Sequence, residues 1–301
     1  MPERISFQDE IEKNKIKSFL LIAIIFVFFI VLGYVISLVL DPSYFFIIMI
    51  FSIIFSLIYV LAGYYNSDKI AIASVRAKPA SRTEHRALFN AAEGISLASG
   101  LPMPRLYVMD SEEINAFASG RDPKNAVLCF TTGALKKLNK QELEGVVAHE
   151  MSHIANYDIR FMTLTVVLIG MVSIIAQMFL RSLWFSGGRD ERDGRAQLVL
   201  ILIGILFAIL APIASQLVSF AISRKREYAV DASGVKFTRF PPGLANALRK
   251  IKGEHVREES RPRISKAMAP LFISDPFKKK VQNLFSTHPP IDDRIKKLEA
   301  M

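Results

Sequence analysis

"VVAHEMSHIANYDIR", residues 146–160, holds two histidines four positions apart with a glutamate beside the first, and the chain turns wholly apolar directly after it. On a helix, residues i and i+4 share one face, so His149 and His153 can grip a single ion. Glu150 points about 100° away from His149 and reaches the ion's water without binding the ion itself. Zinc lowers the pKa of such a water to about 7, and a carboxylate beside it takes the proton as the water attacks a carbonyl. The bland alternative is a helix that happens to carry two histidines, an uncommon accident in a chain with only 5 of them.

The apolar run after Arg160 raises the question of fold class. The 301 residues are 51% hydrophobic with a mean hydropathy of +0.30, high for a soluble protein, and the apolar residues are concentrated. Segments 16–40, 44–65, 161–180 and 196–223 carry only Lys17 among them as a charge. Each reaches the roughly 20 residues that cross a hydrocarbon core. The first is too long for a signal peptide, follows a charged segment and lacks a small-residue cleavage site. A mostly α membrane protein with four transmembrane helices is expected. One hairpin lies in residues 1–66 and a second in 161–223, the latter dividing a catalytic domain into halves 67–160 and 224–301.

The net charge of +10 fits basic loops obeying the positive-inside rule rather than nucleic-acid binding. "DPS" between the first two spans has no Lys or Arg, whereas Lys69, Arg76, Lys78, Arg82 and Arg86 follow the second. That asymmetry predicts a multi-pass protein of the inner, cytoplasmic membrane, with termini and catalytic domain in the cytoplasm. The four arginines of "RSLWFSGGRDERDGR", in the loop placed outside, run against it. The single cysteine, Cys129, excludes an internal disulfide and suits a reducing compartment; in "NAVLCFTT" it reads as an ordinary strand residue.

In the polar half before the motif, "TEHRALFNAAEGISLASG" reads as a helix with Leu88, Ala91, Ala92 and Ile95 as its stripe, stopped by Gly100 and Pro102. "RLYVM", "INAFASG" and "AVLCFTT" read as short strands. A long helix then begins near Lys140, with Asn139 and Glu142 spaced as a capping box. If it runs unbroken from His153 to Phe161, the metal site stands about 12 Å from the start of the apolar run. The returning span ends near Ser223, and "RKREYAVD" follows at once. The best third ligand is therefore Glu227, on the helix expected after the return, with Asp231 at i+4 placed to hold the outer nitrogen of a ligand histidine. The same segment also reads as a basic juxtamembrane stretch with i,i+4 ion pairs, a role that suits Arg224, Lys225 and Arg226.

The ordered set "NAFASG", "AHEMSHIANYD", an apolar hairpin, "SRKREYAVDASG" and "STHPPIDDRI", behind two leading spans, resembles the HtpX family of membrane-bound zinc metalloendopeptidases, relatives of the CAAX prenyl endopeptidases. The resemblance covers nearly the whole chain. It implies a zincin-type α+β protease domain with a small sheet and one Zn2+. The zinc ligands would be His149, His153 and Glu227, with Glu150 as base and Asp231 behind a ligand. It also implies that His288 and Arg294 lie near the scissile carbonyl, where either can stabilise an oxyanion. Asn115, Ala116, Phe117 and Ala118 become an edge strand that pairs with an extended substrate backbone; without the resemblance they are simply a buried strand. Val230 stands where relatives usually carry alanine, a packing change that leaves the ligands in place.

The resemblance implies protein substrates, especially misfolded or damaged membrane proteins. His85 and His255 sit among charges and read as solvated, Asp158 as a residue behind a ligand or at a helix end, and Trp184 as an interface anchor. Residues 253–280, rich in Lys, Arg and Pro, read as a surface segment that touches anionic lipid. A protease acting within the bilayer would place the motif inside a span, but Glu142, Glu144, Glu150, Asn156 and Asp158 make its helix too polar. A metal transporter needs ionisable groups within its spans, and the last three have none. A zinc-binding adaptor without peptidase activity remains the alternative from another class. Oligomeric state is not encoded in any motif.

Overall fold

Two apolar helices, α1 (Phe7–Ser37) and α2 (Phe45–Tyr65), pack against each other around a short turn at Pro42–Tyr44. The computed structural model describes residues 7–37, 42–167, 170, 204, 224–254, 271–274 and 289–301. Within α1 and α2, Ile11–Val35 and Phe45–Tyr65 are long and apolar enough to cross a membrane. Their surface is inverted relative to a soluble helix. Phe46, Ile47, Ile50, Phe51, Ile54 and Ile58 face outward, while Ser52, Ser56, Val60 and Gly63 are buried. Small residues let the helices approach closely, as membrane helices do. A Cβ on Gly33 would stand 1.8 Å from Ser52 Oγ, and the Ser56 hydroxyl donates to the Phe26 carbonyl at 3.4 Å. The expected third and fourth spans lie outside the described residues, apart from the start of the third.

After α3 (Ser67–Ser74), four strands form one sheet: β1 (Lys78–Pro79), β2 (Arg105–Met109), β3 (Ala116–Ser119) and β4 (Val127–Thr131). The order is β1-β2-β4-β3, with β2 and β4 parallel and both outer pairs antiparallel. The three strands expected from the sequence are present. Two-residue β1 is too short to leave a periodic signal.

One face of the sheet carries a core of Leu88 and Ala92 from α4 (Arg86–Ser99), Leu128 and Phe130, and Val147 and Met151 from α6 (Lys140–Ala155). Leu244 and Leu248 of α8 (Pro241–Gly253) complete it. The expected α4 stripe is buried, and the helix ends at Gly100 with φ 71°, a left-handed cap that favours glycine. A second cluster joins Leu21, Ile25 and Phe28 of α1 to Phe117, Cys129 and Phe161. The hairpin is thus docked onto the sheet rather than tethered to it.

Short α5 (Thr132–Lys137) precedes α6, which begins as the sequence predicts. Asn139 Oδ1 accepts from the Glu142 amide at 2.9 Å, and Glu142 Oε2 accepts from the Asn139 amide at 2.8 Å. The end of α6 differs from expectation. Asn156 and Tyr157 interrupt the helix, Tyr157 with φ 59°, and it resumes over 158–167. The 12 Å figure assumed an unbroken helix, so that measure does not hold. The physical reason lies in the site. On a continuous helix residue 158 would point about 140° away from residue 153, and the break instead turns Asp158 back onto His153. Later in the chain come α7 (Arg224–Thr238), α8 and α9 (Ile291–Glu299).

Candidate metal centre

Close backbone approach brings the ligands together. A Cβ on Gly145 would lie 2.5 Å from the Leu244 nitrogen, and one on Gly234 would lie 3.2 Å from the His149 nitrogen. Without side chains at these positions, α8 and α7 both sit directly on α6. Glu227, on α7, then faces both histidines: its Oε2 is 3.9 Å from His149 Nε2 and its Oε1 is 3.7 Å from His153 Nε2. One ligand atom from each of the three lies within 4.8 Å of the others, and all three residues are buried.

The outer nitrogens are committed elsewhere. His149 Nδ1 donates to Asp231 Oδ1 at 2.8 Å, and His153 Nδ1 donates to Asp158 Oδ2 at 3.0 Å. Each bond selects the tautomer that leaves the Nε2 lone pair facing the centre. His149 Nε2 is buried with no hydrogen-bond partner, an arrangement that costs free energy unless something accepts that lone pair. A cation with nitrogen and oxygen ligands does so. The donor set of two imidazoles and a carboxylate fits zinc, with a fourth position left for water or substrate.

Burial lowers the His149 pKa to about 4, although the Asp231 bond works against it, so at neutral pH the ring is the neutral ligand a metal requires. For His153 burial also pulls downward, but the Asp158 bond and the charges of Glu227, Asp158 and Glu150 leave it raised. Burial pushes Glu150 up to about 7; the His153 charge opposes this and the Glu227 carboxylate adds to it. The Glu150 carboxyl receives the Ala118 amide of β3, while its Oε1 is buried without a hydrogen-bond partner.

Arg294 is fully buried beside the ligands. Its Nε and Nη2 donate to the two oxygens of Asp231 at 2.8 and 2.7 Å. Its Nη1 has no hydrogen-bond partner and stands 3.9 Å from Glu227 Oε2. A guanidinium taken out of water needs a carboxylate fork, and Asp231 supplies one. Burial alone would raise Asp231, but the adjacent Arg294 and His149 hold it down to about 2. Burial alone would lower Arg294, and Asp231 reverses that. His288 lies outside the described residues.

At the sheet edge, Asn115 and Ala116 already have partners from the chain itself. The Asn115 side chain donates to the Ser274 carbonyl at 2.8 Å, and Ile273 donates to the Ala116 carbonyl at 3.0 Å. Phe117 packs edge-on against Phe272, with ring centroids 5.1 Å apart. Ala118 lies at the other end of the edge, beside Glu150. Two further residues meet Asp158: Asn14 of α1 donates to its Oδ1 at 2.7 Å, and the buried Arg226 brings Nε to 3.5 Å from the same oxygen. Nothing in the sequence singles out Asn14, which sits between two lysines at the foot of an apolar run.

The sequence model of peptidase family M48 matches residues 82–301. A Protease HtpX homolog of Caldanaerobacter subterraneus subsp. tengcongensis is 46% identical over 256 residues, 84% of each chain. A Protease HtpX homolog of Dictyoglomus thermophilum is 40% identical over 296 residues, covering 98% of this chain and 95% of its own. Among solved structures, the crystal structure of S. mikatae Ste24p is similar with a TM-score of 0.46 at 19% identity, over 88% of this chain and 62% of that one.

Proposed function

The chain belongs to peptidase family M48 and, within it, to the HtpX proteases, and from that premise we propose that this membrane metalloprotease cuts peptide bonds with one zinc ion held by His149, His153 and Glu227. The observation that carries the reading is the convergence of those three ligand atoms within 4.8 Å, each imidazole turned inward by a carboxylate on its far side.

When bound, zinc supplies Lewis acidity, which brings the pKa of a coordinated water to about 7 and polarises a carbonyl. The protein's own groups do the rest. Glu150, raised by burial to about 7, accepts the water's proton as its oxygen attacks the carbonyl carbon. It then delivers that proton to the leaving amine as the C–N bond breaks. Asp231 and Asp158 hold the ligand rings, and Arg294 holds Asp231. His288, by family resemblance, donates to the developing oxyanion. An extended substrate adds to the edge of β3. Since Ile273 and Ser274 take the Asn115 and Ala116 end, the substrate backbone extends along the Ala118 end, next to Glu150.

The centre acts at the cytoplasmic face of the inner membrane, carried by four spans, on loops and tails of misfolded membrane proteins. The basic residues after the second span support this orientation. The docking of α1 onto the sheet supports a site held close to the bilayer. The test is casein cleavage by the full chain in detergent, stripped of metal and reloaded with zinc, beside Glu150→Gln with its zinc content measured. Cleavage by the reloaded wild type, with a variant that holds zinc and does not cut, is expected. A cutting variant refutes the role of Glu150. A wild type that holds zinc but cuts nothing favours the adaptor reading.

A further inference from the structure

Each ligand histidine is held by a buried carboxylate, and each carboxylate by a third side chain. On the His149 side the third member is Arg294. On the His153 side it comes from the membrane hairpin: Asn14, 144 residues before Asp158 in sequence and inside the candidate span Ile11–Val35. Its amide nitrogen donates to Asp158 Oδ1 at 2.7 Å and to the Asn156 carbonyl at 3.0 Å. Asn156 caps α6 and precedes the left-handed Tyr157. One amide group therefore ties down both the side chain that holds His153 and the backbone break that aims it. Lys15 closes over the Tyr157 ring at 4.8 Å from the same helix. Asn14 is 1% exposed and Asp158 0%. A buried amide at the foot of an apolar helix is unfavourable unless hydrogen-bonded, and both amide hydrogens here are used on the metal side.

We infer that Asn14 is a positioning residue of the metal centre, through which the membrane hairpin orients His153 by way of Asp158. The inference rests on the zinc reading above. Asp158 could rotate to offer His153 a poorer angle if Oδ1 were released. Asn14 pins that oxygen with a hydrogen bond of 2.7 Å, the Arg226 Nε standing farther off at 3.5 Å, and leaves Oδ2 for the ring. Removing Asp158, the direct outer partner of the ligand, is expected to weaken metal affinity by about 10–100-fold, and removing the group that holds Asp158 should cost a part of that.

The test measures zinc affinity of the full chain in detergent by competition with a chromogenic chelator, alongside kcat and KM on a peptide. Asn14→Leu is expected to bind zinc more weakly, by up to about 10-fold and by less than Asp158→Asn, with kcat reduced and KM for peptide unchanged. Ser56→Ala, a hairpin packing change away from Asp158, should match the wild type. Asn14→Leu combined with Asp158→Asn should lose no more affinity than Asp158→Asn alone, because both break one arm. Equal zinc affinity in Asn14→Leu and wild type overturns the inference, as does a double variant whose losses multiply. If Asn14→Leu does not fold, Asn14→Ser is read by the same criteria. A wild type that takes up no zinc overturns the metal reading itself, a separate result.

Discussion

Replacing Arg294 with methionine removes a guanidinium that is 0% exposed while keeping much of its length. Asp231, itself 2% exposed, then loses both fork bonds, 2.8 and 2.7 Å long, and keeps only the His149 ring. Stranding one member of a buried ion pair costs about 3–5 kcal/mol. At about 2–4 °C per kcal/mol for a protein of this size, Tm should fall by about 6–20 °C. Acid should affect the two proteins differently. In the wild type Asp231 sits at about 2 against an ordinary 3.8, so its contribution is present above about 4 and lost as pH falls towards 2. Without Arg294 that depression lapses, and the acid-side loss of stability should flatten. The assay is thermal unfolding of the metal-free protein in detergent for Arg294→Met, Asp231→Asn and the double variant. A coupling of about 0.5–3 kcal/mol is expected, because either single change breaks the same pair. Strict additivity would refute the pairing, and so would an unchanged Tm in Arg294→Met.

Other consequences are simpler to measure. Chelation should lower Tm, since zinc at about 100 to 1,000 times its Kd stabilises by about 2.7–4.1 kcal/mol; an unchanged melt argues against a metal at this centre. In the metal-free protein Glu150 binds its proton more tightly folded than unfolded, a contribution lost as pH climbs from 4.5 to about 7, while the lowered His149 contributes in the opposite sense over the same window; Glu150→Gln should remove only the first, so that its stability rises more steeply with pH than the wild type's in denaturant melts. Gly145→Ala places a Cβ 2.5 Å from the Leu244 nitrogen, so prying α8 from α6 should cost about 1–3 kcal/mol in denaturant melts. Glu142→Ala removes the reciprocal cap and the Lys250 contact at 2.6 Å, for a loss of about 1 kcal/mol by the same measurement.

What the sequence disclosed was local in character. The stripe of α4, the capping box of α6 and the short apolar runs of β2 to β4 depend on neighbours within a few positions, and these elements form where the pattern puts them. The i,i+4 histidines and the Glu227–Asp231 pair are likewise spacings on a single helix. What escaped was set by distant packing. The break at Asn156 and Tyr157 has no proline or glycine to announce it; it is imposed by the pull of Asp158 towards His153. Arg294 looks like a surface charge in "IDDRI" because its burial is decided by α7 and α6, whose Asp231 and His149 lie 63 and 145 positions away. Asn14 is invisible for the same reason, its partner lying 144 residues away.

The fork between Arg294 and Asp231 spans 63 residues, and this separation puts a clock on biosynthesis. At about 5–20 residues per second, a ribosome needs about 3–13 s after making Asp231 before Arg294 exists. Through that interval the histidines, Glu150 and Glu227 have all been made while the carboxylate behind His149 still lacks its counter-charge. A newborn hydrolase with an unsteady centre is poorly equipped to attack the machinery inserting it, or its own trailing segments. Competence then arrives as a late event, after the α1–α2 hairpin has had time to enter the bilayer.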